Sequence, residues 1–381
     1  VAKAITYTLT VNGTAASAAL LNAVKQIEVE DHAAMADMLR LRLAVAVKED
    51  GSGWTLLDES LFTRLANLEL SVTVGSGSAV PLINAYVVEV DTDFSDRPHG
   101  SELVVTAMDP TVLMHLDEKV KPWPNMMDSD VASSIFSDAS YKFTPVVEST
   151  KWSRQENDHT LIQRGTDIQF LRHLAHRNGF ECFVEMNDAG EIEGHFHPPK
   201  HDAQPQGTLT VNMGSATNVN RFRAKFDMLS PATAKAITLD PDDKSKQKGQ
   251  ADNATQADGM GEQATVPADR PRTMLLSQLG MAQAGEVQRF AQSVVDRSSW
   301  SIVAEGEVNT VAYGGTLKAK QPVMVRGVGR QFSGRYYVER VLHQIGGDGS
   351  YSQKFTLRRN ATGLTGSENF KSDDGVAAGT T

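Results

Sequence analysis

Near the start of the chain Ile5, Tyr7, Leu9 and Val11 alternate with polar neighbours, and the run stops at Asn12-Gly13. Successive side chains of a strand point to opposite faces, so a period of two describes a half-buried strand and excludes an amphipathic helix. Further runs follow at Val24 to Val29, Met38 to Val47, Leu68 to Val74, Leu82 to Val90 and Leu103 to Ala107. They are short, rich in Val and Leu, and punctuated by Gly51-Ser52-Gly53 and Gly75-Ser76-Gly77. Strands at such spacing predict a small barrel or sandwich over residues 1–107.

Past Met108 the texture changes, and residues 108–206 read as an α+β insert domain. Asp109-Pro110 can start a helix carrying Val112, Leu113 and Leu116, and a second helix is expected from Asp128. The cleanest helix follows: Thr166 and Gln169 have capping-box spacing, Ile168, Leu171, Leu174 and Ala175 form an apolar stripe, and Asn178-Gly179 is a stop. A hairpin is expected next, with Glu181 to Glu185 and Glu191 to Phe196 flanking Asn187-Asp188-Ala189-Gly190.

Residues 207–239 and 300–360 predict a second strand-rich module, with strands at 208–211, 219–239, 323–328, 336–345 and 351–358. Between its halves, residues 240–272 are rich in Asp, Lys, Gln, Gly and Ala with almost nothing large to bury, which predicts a flexible polar insertion. A helix is expected over 273–299 and a disordered tail over 361–381. The fold class is therefore α+β and β-rich, two β modules bracketing an α+β insert, with no sequence repeat between them.

Composition narrows function. In 381 residues, 40% are hydrophobic and 22% charged, as in an ordinary globular chain. The formal net charge of -10 argues against a free-standing nucleic-acid binder, because phosphate binding is driven by clustered Lys and Arg. The one cysteine, Cys182, excludes an intrachain disulfide and an all-cysteine metal site, and in its strand it reads as a buried hydrophobe. No apolar run approaches the roughly 20 residues of a membrane span, and Val1 to Val11 lacks the build of a signal peptide. A soluble protein with no membrane partner is expected.

Few residues suggest chemistry. His195 and His197 fall on one face of a strand and His201 lies just past two prolines, so a metal site could form if Glu193 or Asp202 joined them. A surface strand running into a loop accounts for the same residues. Gly327-Val328-Gly329 superficially resembles a phosphate loop, but Phe332 stands at the third glycine position and a strand is expected next, so it reads as a hairpin turn. Asp91, Asp93 and Asp96 lack the glycine and terminal Glu of a calcium loop and read as a solvated strand end. No acidic pair is placed across a cleft by the sequence. No catalytic residue, no cofactor and no metal ligand is assigned.

Four phrases, in this order, resemble the late-control protein D or tail-hub family of contractile phages and the hub portion of valine-glycine repeat protein G of type VI secretion. They are VKQIEVEDHAAMADMLRLRL (Val24 to Leu43); Asp109-Pro110-Thr111-Val112-Leu113 with the later Asp128-Ser129-Asp130-Val131-Ala132; QRGTDIQFLRHLAHRNGF (Gln163 to Phe180), holding the family's arginine-Thr-Asp helix; and GVGRQFSGRYYVERVLHQI with FTLRRNA in the closing strands. The resemblance spans about residue 5 to residue 362 apart from the polar insertion.

It implies two tail-tube-like β-barrels per chain, a homotrimer with a pseudo-sixfold ring, and a structural, non-enzymatic hub joining the hexameric tail tube to the trimeric spike. The expected partners are other copies, the tube protein, a separate spike protein, the tape measure and surrounding baseplate proteins, with DNA or protein cargo only in transit. The expected location is the tail baseplate of a virion or phage-tail-like particle, assembled in the bacterial cytoplasm. A peripheral receptor-binding tail protein and a tail-mounted cell-wall-degrading enzyme are the alternatives.

Overall fold

The computed structural model describes residues 5–97, 100–151, 160–240, 243–255, 260–277, 284–368 and 370. The first module contains β1 (Ile5–Val11), β2 (Thr14–Ala15), the short helix α1 (Ala18–Ala23), β3 (Val24–His32), β4 (Met38–Ala44), β5 (Asn67–Val74), β6 (Val80–Asp93) and β7 (Glu102–Met108). Asn12 and Gly13 both take positive φ at the β1–β2 turn. Ser17 caps α1 by accepting from the Leu20 amide at 3.2 Å. The period of two seen in the sequence is realised in β4, β5 and β7, where every second residue is buried. Ile27, Leu39, Leu41, Leu43, Leu68, Leu70 and Val105 are completely buried in one core. Each such side chain contributes about 1.5–3 kcal/mol by leaving water.

The insert opens with a 3-10 turn (Pro110–His115) capped by Asp109, which accepts from the Thr111 amide at 2.9 Å. It continues through β8 (Glu118–Trp123), α2 (Asp128–Phe136), β9 (Thr144–Val147), β10 (Leu161–Thr166), α3 (Asp167–Asn178), β11 (Glu181–Met186) and β12 (Ile192–His197). Helix α3 has the expected ends: Gln169 accepts from the Thr166 amide at 3.3 Å, and Gly179 closes it at φ +70°. Its buried stripe packs with α2 and the β11–β12 hairpin in a core of its own. Asp128 ties α2 to the end of α3, accepting from Arg177 Nε at 2.7 Å and Asn178 Nδ2 at 2.6 Å.

The remainder holds β13 (Thr208–Thr210), a 3-10 turn (Gly214–Ala216), β14 (Val219–Phe226), β15 (Ala232–Leu239), β16 (Lys246–Ala251), β17 (Gln263–Ala264), β18 (Arg272–Ser277), α4 (Ala284–Ser298), β19 (Ile302–Val308), α5 (Thr310–Tyr313), β20 (Pro322–Arg326), α6 (Gly329–Phe332), β21 (Gly334–Gly346), β22 (Tyr351–Arg359) and β23 (Ala361–Thr362).

Several elements here differ from expectation. Residues 219–239 form the two strands β14 and β15, and the polar stretch 240–272, expected to be a flexible insertion, contains β16, which pairs antiparallel with β15. Small residues are the reason: Ala234, Ala236 and Ala251 are buried under Val287, Ala291 and Val295 of α4. Gly249 lies so close to α4 that an added Cβ would sit 2.7 Å from the Val287 carbonyl oxygen. Order there comes from backbone pairing and close approach, which a search for large apolar residues misses. Of the helix expected over 273–299, Ala284–Ser298 is helical, whereas Arg272–Ser277 pairs in parallel with β15 as a strand. Residues 278–283 lie outside the described residues. Of the expected tail, Ala361–Thr362 pairs with Gln263–Ala264, and 371–381 lie outside the described residues. Gly327 and Gly329 both take positive φ between β20 and β21, and one helical turn, α6, precedes the strand expected to follow directly.

One sheet of 13 strands runs through both strand-rich modules in the order β14-β19-β22-β21-β3-β4-β7-β6-β5-β1-β2, with β20 and β13 attached beside β21. The 13-residue β21 makes this possible. Its first residues pair with β20, while Arg340 to Gly346 pair with β3 of the first module. The second module keeps a separate core around Val323, Val325, Tyr336, Val338, Phe355 and Leu357. The chain is α+β and β-rich.

Candidate functional site: a buried junction of three modules

A dense cluster of buried charge lies where the two strand modules and the insert meet. Lys320, ahead of β20, takes φ +64° and points its ammonium between Asp31 of β3, at 2.6 Å, and Asp37 before β4, at 2.8 Å. Glu185 of β11 stands 3.9 Å away on the third side. Backbone donors hold the carboxylates: Ala319 N–H reaches Asp31 at 2.7 Å, and His32 N–H reaches Asp37 at 2.7 Å. Asp37 N–H in turn donates to Asp109 at 2.7 Å, the residue that caps the first turn of the insert.

Burial sets the charges here. It works to raise the Asp31 carboxyl, but Lys320 and the Ala319 amide outweigh it and the group sits below its ordinary pKa. Burial wins at Asp37, with Asp31 and Asp109 adding repulsion, so that carboxyl is held well above the ordinary range. Burial likewise raises Asp109. For Lys320 burial is the opposing effect, and Asp31, Asp37 and Glu185 together push its pKa well up. Nearby, Tyr337 of β21 donates to Glu181 of β11 at 2.6 Å, and burial raises that carboxyl to about 7. His343 of β21 bonds the Tyr351 hydroxyl at 2.8 Å, and burial lowers it to about 4. The chemistry of this region is mutual satisfaction across module boundaries, which locks the modules in one relative position.

The histidines expected near a surface strand are buried instead. His195 and His197 do share a face: His195 stacks on Phe183 with centroids 4.5 Å apart, and its Nδ1 lies 3.2 Å from His197 Nε2. The Pro198 carbonyl, 2.8 Å from His197 Nδ1, assigns that nitrogen the proton. His197 Nε2 is then the acceptor and His195 Nδ1 the donor. His195 Nε2 faces Glu193 at 3.2 Å and Glu185 at 3.6 Å, and burial first, then His197, lowers the ring's pKa to about 3. His201 is not brought to them. Its Nδ1 pairs with the Pro199 carbonyl at 3.0 Å and its ring meets Trp300 edge-on at 5.8 Å. Among the described residues no group of three or more His, Cys, Asp or Glu is arranged to hold a metal ion.

A cavity of about 430 Å³ opens beside the junction, lined by Arg172, Phe180, Glu181, Trp300, Tyr337 and Arg358 among others. Cys182 lies on its wall, buried, and burial pushes its thiol up to about 12, which keeps it protonated and unreactive. Asp91, Asp93 and Asp96 are exposed at and beyond the end of β6. Sequence reasoning passed over Lys320, Asp31 and Asp37, although both aspartates lie in one of the phrases that carry the resemblance. Nothing local marks Lys320, whose partners are 283 and 289 positions away.

A family model described as Alg8 N-terminal domain matches residues 1–347, and the chain belongs to that family. The description carries no activity with it. No curated protein matches by sequence. Among solved structures, the tail protein of Neisseria meningitidis MC58 is similar over 94% of this chain and 97% of its own, at TM-score 0.65 and 12% identity. The 43 kDa tail protein of prophage MuSo2 from Shewanella oneidensis is similar over 94% and 99%, at TM-score 0.62 and 14% identity. The E. coli c3393 protein, described as a component of the type VI secretion system similar to T4 tail proteins gp27 and gp5, is similar over 92% and 76%, at TM-score 0.55 and 10% identity. The chain thus has the fold of these tail and secretion-system proteins. No described helix is long and apolar enough to cross a membrane.

Proposed function

We propose that this chain is the structural hub of a contractile phage tail or tail-like injection particle: a homotrimer whose two tube-like modules per copy make a pseudo-sixfold ring between a hexameric tube and a trimeric spike. The observation that carries the reading is one sheet passing through two strand-rich modules, each with its own apolar core. Three such chains present six similar modules, which reconciles a sixfold neighbour with a threefold one. The buried junction suits this role, since it keeps the two modules of a chain at one angle and so keeps six modules on one ring. The similarity to tail proteins along nearly the whole chain supports the same reading. On it the protein works by shape and adhesion, catalyses nothing, meets the tube, spike, tape measure and neighbouring baseplate proteins, and sits on the baseplate axis after assembly in the bacterial cytoplasm.

Mass measurement of the chain and an end-on reconstruction of the assembled particle test this. Three copies on the axis are expected; a stable dimer or tetramer there, or a peripheral position, overturns the reading. Replacing His195, His197 and His201 together should leave every function intact, and loss of a catalytic activity with assembly unaffected would overturn the non-enzymatic part.

A further inference from the structure

Helix α3 turns one narrow stripe toward the cavity beside the junction: Arg172, Ala175, His176 and Gly179 follow at i, i+3, i+4 and i+7, and all four line it. The facing walls come from the other modules, with Ala34 after β3, Trp300 after α4, Tyr337 and Glu339 of β21, and Arg358 of β22.

Arg172 is the unusual member of this lining. Its Nε and Nη2 are both buried, and neither has a hydrogen-bond partner among the described residues. These two nitrogens form the side edge of the guanidinium, whose parallel N–H bonds match the two oxygens of a carboxylate. Five residues further along the same helix, Arg177 shows that arrangement filled, with its Nε and Nη2 both donating to Asp128. No carboxylate of the cavity wall does this for Arg172. Glu181 accepts from the Tyr337 hydroxyl at 2.6 Å, and Glu339 is ion-paired with Arg358 at 2.6 Å. Burying a charged fork without an acceptor costs stability, which points to an acceptor from outside the chain.

The rest of the wall defines what that acceptor is attached to. Three guanidinium groups, Arg172, Arg297 and Arg358, face two carboxyl groups, Glu181 and Glu339, so one positive charge is in excess. His176 adds none near neutral pH, since burial first and then Arg297 lower its pKa. A single negative charge therefore balances the site, whereas a phosphate or a dicarboxylate would bring its second charge against Glu181 and Glu339. Phe180, Trp300 and Tyr337 supply aromatic surface, the last two meeting edge to face at 5.6 Å. The volume of about 430 Å³ lies within the range of ~300–1,000 Å³ that takes a small organic molecule.

We infer that this cavity binds a monocarboxylic acid with an aromatic body, its carboxylate held by the side edge of Arg172 and its ring against the aromatic wall. A small free acid and the chain end of a peptide closing on Phe offer the same chemistry. The site belongs to a single chain, so the inference does not depend on the ring reading above.

The test titrates hydrocinnamate into the full chain by isothermal titration calorimetry. Its uncharged amide is the control, and N-acetyl-Gly-Gly-Phe with a free terminal carboxylate is the peptide arm. The acid should bind at least ~10-fold more tightly than the amide, because the amide cannot make the charged two-point hydrogen bond. Arg172→Gln should weaken the acid at least ~10-fold, and Arg172→Lys, which keeps the charge and loses the fork, should fall between. Ala34→Trp, which fills the exposed rim and leaves Arg172 in place, should abolish binding. Circular dichroism checks folding, and if Arg172→Gln does not fold, Arg172→Lys and Ala34→Trp carry the test. Peptide binding at least as tight as that of the free acid assigns the site to a chain end, and weaker or absent peptide binding assigns it to a small acid. No heat with either carboxylate at millimolar concentration, an amide that binds as well as the acid, or wild-type affinity in Arg172→Gln or Ala34→Trp would overturn the inference.

Discussion

The Lys320 junction and the Arg330–Glu262 pair at the surface both set a basic side chain against an acidic one and differ in what surrounds them. At the junction the Lys320, Asp31 and Asp37 side chains are 4%, 12% and 9% exposed, while the surface pair Arg330–Glu262 is 76% and 45% exposed. Water screens and replaces the second kind of contact, so it adds little to stability and is available for a partner. Nothing replaces the first. A buried ion set costs desolvation whether or not its geometry is good, so its energetic signature is the damage done by breaking it.

That contrast is sharpest in Lys320→Ala, which leaves Asp31 and Asp37 facing each other in a dry site. A loss of about 3–5 kcal/mol is expected in urea denaturation. Replacing Lys320 by Met with Asp31→Asn and Asp37→Asn removes the charges together and should recover a large part of it. A loss under about 1 kcal/mol for the single change would mean that water reaches the cluster.

Titration offers a second break, through two buried groups of opposite sign. The folded-state pKa of His343 is lowered to about 4 by burial, so its contribution is fully present above the ordinary value of 6.5 and is lost as pH falls toward 4. Glu181 is raised to about 7, so its contribution is full below its ordinary 4.5 and is lost as pH rises through 7. Each amounts to ~3 kcal/mol at most. Unfolding free energy measured from pH 4 to 8 should therefore lose an acid-side fall in His343→Gln and an alkaline-side fall in Glu181→Gln. Identical pH profiles for wild type and both variants would show that neither group is held as described.

Smaller effects follow away from the junction. Gly249→Ala should cost about 1–3 kcal/mol, because its Cβ meets the backbone of α4, and should speed proteolysis between β15 and α4. At the other extreme, Arg330→Ala should change stability by less than about 0.5 kcal/mol in the same assay, since its partner Glu262 stays hydrated. A larger change would erase the distinction between the two regions.

Where the sequence was legible, a local rule and the tertiary environment agreed. The α3 helix carried its own box, stripe and glycine stop, and the first module carried its period of two, because one face of each strand had to be apolar to reach a core. The reading failed at β16 and β18, where pairing with β15 overrode local preference and alanines and a glycine replaced the bulky residues by which cores are recognised. At the histidines, the shared face of His195 and His197 was readable from strand alternation, but their burial and the separate place of His201 depend on Phe183 and Trp300.

Sequence by itself determined the class, α+β and rich in strands, and the residues that face the core in the first module and along α3, since those follow from periodicity and turn chemistry acting over a few positions. Only the tertiary structure decided that β21 would bridge two modules into one sheet and that Lys320 would find Asp31 and Asp37. Those outcomes depend on strand register and on contacts between residues hundreds of positions apart, and no local preference encodes them.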